Sequence, residues 1–91
     1  MPEMQIFPMT IKAAMEFLKK NERHYKSEAT PVFAIGIAIG DEVCGAVVVG
    51  EREGDAELAH IYSVGEYLGY TILYGAAWRA SKALGYKRMV L

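Results

Sequence analysis

The stretch AELAHIYSVGEYLGYTILYGAAWRASKALGYKRMVL, residues 56–91, decides how the rest of the chain is read. Ala56 to Ser63 predicts a strand and Val64 to Gly69 a loop. Tyr70 to Leu84 predicts a helix rich in alanine, the best helix former. Gly85 follows where a helix ends in a left-handed residue, and Lys87 to Leu91 (KRMVL) begins a last strand. Strand, helix and strand in succession close as a right-handed crossover. The last strand should therefore lie parallel to Ala56–Ser63.

Upstream, Met4 to Phe7 predicts a short extended run ended by Pro8. Thr10 reads as a helix N-cap, since its hydroxyl accepts from the free amides of the next turn. Ile11, Ala14, Met15 and Leu18 repeat at helical spacing, with charged residues elsewhere on the surface, which predicts a helix from Ile11 to Lys20. Asn21 to Pro31 is polar and patternless, a loop. Val32 to Ile39 and Val43 to Glu51 predict two strands joined by a tight turn at Gly40-Asp41-Glu42, and Glu51 to Asp55 turns the chain again into Ala56–Ser63. The order is β-α-β-β-β-α-β: an α+β class, an antiparallel meander with a final parallel strand, in one domain over residues 1–91.

Bulk properties narrow the function. The 91 residues allow one small domain, and 53% of them are hydrophobic. A chain this short buries only about 60–65% of its unfolded surface, so some apolar surface should be covered by a partner. The net charge of −1, from 10 basic and 11 acidic residues, argues against nucleic acid as a partner. Cys44 is the single cysteine, which excludes an internal disulfide, and its strand setting predicts a small buried hydrophobe. No apolar run approaches the ~20 residues that cross a bilayer, and the first residues are not a signal peptide. A membrane is not expected, and the default setting is the reducing cytoplasm.

The element order over nearly the whole chain, and residues 56–91 in motif, resemble the GNAT superfamily of acyl-CoA N-acyltransferases. There the fourth strand leads into a glycine-containing loop and a helix whose first amides hold the pyrophosphate of coenzyme A. A glycine and a fifth strand follow, matching Gly85 and Lys87–Leu91. The run LYGAAWRASKALGYKR also looks like one from small GNAT-like proteins associated with phages and mobile elements. The resemblance implies a partial, truncated GNAT-like domain, its N-terminal portion. It implies acetyl-CoA as ligand and a small-molecule amine as acceptor.

The physics of such a site does not depend on the name. A helix opening leaves its first amides unsatisfied and carries roughly half a positive charge, which suits a diphosphate. Gly65 and Gly69 would let the phosphates approach, beside Tyr70 and Thr71. The superfamily's loop reads Arg or Gln, two residues, Gly, one residue, then Gly or Ala. This chain has Glu66-Tyr67-Leu68-Gly69-Tyr70-Thr71, with an acid in the first place and Thr71 in the last. Acetyl transfer needs a base for the ammonium and a donor for the tetrahedral oxyanion. The resemblance assigns the donor to main-chain amides of Ile61, Tyr62 and Ser63, and the base to Glu57 or His60. Alternation with period two predicts that Glu57 and His60 face opposite sides, so only one would reach the cleft. His24 and Tyr25 fall where such enzymes meet the acceptor.

Leu73, Ala76, Ala77, Ala80 and Leu84 form one stripe of the second helix, the expected sheet-facing side, while Tyr70, Tyr74 and Trp78 form another at i, i+4, i+8. With Met89, Val90 and Leu91 on an apolar edge, two chains are expected to associate as a homodimer, by sheet edges or over Tyr74 and Trp78. Three functions stay open, the first an acetyl-CoA-dependent N-acetyltransferase and the second a non-catalytic module keeping the fold for assembly or small-ligand binding. An α+β interaction domain unrelated to acetyl transfer is the third.

Overall fold

The computed structural model describes residues 3–21, 28–64 and 67–90, without the side chains of Tyr67 and Leu68. The elements are β1 (Met4–Met9), α1 (Ile11–Lys20), β2 (Thr30–Ile39), β3 (Glu42–Arg52), β4 (Asp55–Ser63), α2 (Tyr67–Ala83) and β5 (Met89–Val90). They form one five-stranded sheet in the order β1-β2-β3-β4-β5. The first four strands are antiparallel, and β5 lies parallel to β4, with Ala56 opposite Met89 and Glu57 opposite Val90. This is the α+β architecture that the order of elements predicts.

Local chemistry accounts for the elements. The Thr10 hydroxyl accepts from the Ala13 N–H at 3.1 Å and so starts α1 where the sequence places it. Lys19 and Lys20 close α1 beside its negative end. β1 runs two residues past its expected end and contains Pro8, which a sheet tolerates because β1 is an edge strand. Between β3 and β4, Glu53 and Gly54 both take left-handed φ angles, 55° and 86°, the pattern of a tight two-residue hairpin.

Helix α2 begins at Tyr67, three residues before its expected start, so Gly69 belongs to its first turn and not to a loop. Its end follows the reading closely. Gly85 has φ 98°, the Gly85 N–H donates to the Lys82 carbonyl at 2.9 Å, and the Tyr86 N–H donates to the Ser81 carbonyl at 3.0 Å. These two bonds are the paired cap of a Schellman end. The segment after it is then tied to the β3–β4 hairpin. Arg88 grips the Asp55 carboxylate through Nε and Nη2, each at 2.8 Å, and the Tyr86 hydroxyl donates to Glu51.

The helices cover opposite faces. Ile37, Val47, Val49, Ala56 and Ile61 pack with Leu73 and Ala77 of α2. Ala34, Ala46 and Val48 pack with Ala14 and Leu18 of α1. The sheet-facing stripe of α2 differs in part from the expected one: Ser81 is fully buried, whereas Leu84 is 59% exposed. The helix has ended at Ala83 and is turning into Gly85, which carries Leu84 away from the sheet. Tyr70 packs into the core under α2, while Tyr74 is exposed.

Candidate functional site

The site is built around β4. Opposite Val48 stands His60, and opposite the next residue, Val49, stands Leu58; Ala59 is therefore an extra residue, a β-bulge. Antiparallel partners share a face. Glu57 pairs with Gly50, His60 with Val48 and Tyr62 with Ala46, all on the α1 side, while Leu58 and Ile61 pack with the α2-side cluster. The expectation that Glu57 and His60 face opposite sides is thus corrected. The bulge absorbs one residue of the alternation and gathers Glu57, His60 and Tyr62 on one face.

Each of the three has a defined setting. Glu57 is mostly covered, and Arg52 reaches it at 3.8 Å while also holding Glu28 at 3.0 Å. His60 is 9% exposed, its Nδ1 is buried, and burial pushes its pKa below the usual 6.5, so the imidazole is neutral at pH 7. The Tyr62 ring meets Phe17 of α1 at 6.2 Å between centroids, tilted by 45°. The outcome is a neutral imidazole and a carboxylate on one strand, under the edge of a helix. A neutral imidazole can accept a proton.

The edge of β4 that faces β5 has two halves. At Ala56 and Glu57 it is paired; from Leu58 to Ser63 no strand among the described residues accompanies it. The Val64 N–H donates to the Cys44 carbonyl of β3 at 2.8 Å. Main-chain groups alternate along a strand, so those of Ser63 and Ile61 point to the other side, into this unaccompanied edge. Next to it stands the first turn of α2, which contains no acidic residue. Gly69 and Tyr70 belong to that turn, with Thr71, an exposed residue, just after.

Gly69 has a packing role that the sequence did not reveal. A Cβ built there would collide with the Ser63 side chain, so glycine lets α2 sit directly on the end of β4. Ser63 itself is buried, on the α2 side. Together with Val64, Gly69 and Cys44 it lines a cavity of about 240 Å³ under the opening of α2. Cys44 is half-buried, not fully buried as expected, and its thiol donates to the Glu42 carbonyl at 3.4 Å. It is the extra residue of a second bulge, between Gly45 and Val43 of β3. Gly65, Glu66, His24 and Tyr25 lie outside the described residues.

Arg52 is the neighbour of Glu57 that the sequence reading missed. Its place beside Glu57 depends on the Glu53-Gly54 hairpin, and the EREGD turn was the only available signal. Among the described residues no group of three or more His, Cys, Asp or Glu is arranged to hold a metal ion, and no helix is long and apolar enough to cross a membrane. Compared with family models, with curated proteins and with solved structures, the chain has no match.

Proposed function

We propose that this chain is an acyl-CoA-binding, N-acetyltransferase-like protein that takes acetyl-CoA at the edge of β4 and, where it turns over, a small amine as acceptor. The observation that carries this reading is the parallel β4–α2–β5 unit, in which the β5-side edge of β4 has no strand beside it past Glu57 among the described residues and lies by the first turn of α2. The main-chain amides of that turn would take the diphosphate. The outward main chain of Ile61 and Ser63 would line the pantetheine and receive the thioester oxygen, with Tyr62 beside them on the α1 face. His60, neutral at pH 7, is the base for the ammonium of the acceptor, and Glu57 orients it or serves in its place. The single cysteine and the absence of a disulfide partner fit a reducing, cytoplasmic setting.

A second reading, a non-catalytic module with the same architecture, is favoured by Gly69. Its missing side chain is used for packing on Ser63, and so is accounted for without a phosphate. Calorimetric titration with coenzyme A and acetyl-CoA separates the two from an unrelated interaction domain. Micromolar binding supports the proposal, and no heat at millimolar ligand sinks it. With binding in hand, thiol release against a panel of amines tells enzyme from module.

A homodimer belongs to the same proposal. The groove formed by Ile6, Pro8, Phe33 and Ile35 with Ala80 and Leu84 is lined by no charged residue among the described residues, and such a surface meets its own copy without like-charge contact. Sedimentation equilibrium at micromolar protein should give twice the chain mass, and a strictly monomeric mass removes this part.

A further inference from the structure

We propose that the cavity under the opening of α2 binds a small, uncharged, largely apolar carbonyl compound, whose oxygen accepts from the Ser63 hydroxyl. The cavity has a volume of about 240 Å³ and lies on the α2 face over the antiparallel part of the sheet, between Met4 of β1, Ile37 and Ile39 of β2 and Ser63 of β4. The acyl-CoA edge is the other flank of β4, towards β5, so the inference stands independently of that reading.

The walls select the bulk of the ligand. Ile37 is fully buried and forms the floor, whereas Met4, Ile39 and Val64 are exposed and form a rim, so the cavity opens to solvent. An aliphatic cavity of about 150 Å³ takes up benzene, so this one has room for a six-membered ring with a short substituent. Among the described residues no charged side chain lines it. An ion brought here would lose its hydration without meeting a counter-charge, and the ligand is therefore uncharged.

Ser63 selects the polar group. It is only 7% exposed, and its hydroxyl makes no hydrogen bond among the described residues. The side chain is aimed at the cavity: a Cβ built on Gly69 meets Ser63 Oγ before it meets Ser63 Cβ, and both residues line the space. Buried hydroxyls are as a rule hydrogen-bonded, so one left over in a cavity marks where the polar atom of a ligand goes. The Cys44 thiol, the other polar side chain of the lining, already donates to the Glu42 carbonyl. Gly69 brings the first turn of α2 to the same wall, and that turn carries no acidic residue. Beside the positive end of a helix the ligand atom is an acceptor, and the Ser63 hydroxyl donates to it.

The full chain, with isotope-labelled methyl groups, is titrated with acetophenone and with α-methylstyrene, which has the same shape and a methylene in place of the carbonyl oxygen. Acetophenone should shift the methyl resonances of Ile37, Ile39 and Val64 and half-saturate below about a millimolar. It should bind about fivefold tighter than α-methylstyrene, the difference being the bond to Ser63. In Ser63→Ala the two probes should bind equally, acetophenone falling to the level of the hydrocarbon, and an unchanged melting temperature verifies the fold. The comparison of the two probes on the parent chain stands without the variant. The proposal is overturned by no saturable shift at millimolar acetophenone, by equal binding of both probes to the parent chain, or by a preference that survives Ser63→Ala. Shifts confined to Ile6 and Ile35 would place the probe in the groove between β1 and α2 and overturn it as well. A failure of coenzyme A to bind leaves all of these outcomes readable.

Discussion

Under α2 the sheet presents Ile37, Val47, Val49 and Ile61, whereas under α1 it presents Ala34, Ala46 and Val48. Fully burying a Val, Leu or Ile side chain stabilises by about 1.5–3 kcal/mol, so most of the hydrophobic stabilisation lies on the α2 side. The smaller residues on the other side let α1 approach closely. That side also carries Glu57, His60 and Tyr62, brought together by the bulge at Ala59. The comparison teaches a division of labour: aliphatic packing holds one face together, and the groups able to move protons stand on the other.

The largest expected effect tests the aliphatic face. Leu73→Ala removes a fully buried side chain from the α2 cluster and should cost about 2–5 kcal/mol in urea unfolding, without changing the shape of the stability–pH profile. A loss under 1 kcal/mol would break the comparison at its root.

Gly69→Ala comes next. Its new methyl group meets the Ser63 side chain, and overpacking of this kind costs about 1–3 kcal/mol. Ser63→Gly in the same chain should restore much of the loss, and a double-mutant cycle with no coupling would show that the two residues do not touch.

The helix ends give a matched pair of smaller effects. Thr10→Ala removes the cap of α1, and Gly85→Ala forces a side chain onto a backbone at φ 98° at the end of α2. Each should cost about 1 kcal/mol by thermal or urea unfolding. A cost at one end only would mean that the other end is held by packing.

The smallest effect at neutral pH is His60→Gln, and it sharpens the comparison through acid. Burial lowers the pKa of His60 in the folded chain, whereas the unfolded chain takes up the proton near 6.5. Below that pH the unfolded state binds more protons, so stability falls as pH drops from about 6.5 to the folded pKa, then levels off. His60→Gln should remove that part of the acid loss. A stability–pH curve identical to that of the parent would place the imidazole in water.

Much of this was legible because it is local. The bounds of α1 rest on a capping threonine and a helical repeat within ten residues, and Gly85 announces the end of α2 by the backbone angle it alone adopts easily. The parallel setting of β5 follows from the strand–helix–strand order, in which the helix packs back on the sheet. Of the site, the residue types on β4 were legible and their orientation was not. Ala59 looks like any strand residue, and only its position opposite the gap between Val48 and Val49 makes it a bulge. The early start of α2 and the exposure of Leu84 likewise escaped helical counting, which says where a face points but not where the sheet beneath it stops.

By itself the sequence determined the elements, their order and the direction of the last strand. Spacing, caps and turn residues act over a few positions, and their energies do not wait for the rest of the chain. Only the tertiary structure decided which side chains of β4 share a face, that Gly69 serves contact with Ser63, and which sides of α2 stay open. Those outcomes depend on register and close packing between segments distant in sequence, and no residue carries that information alone.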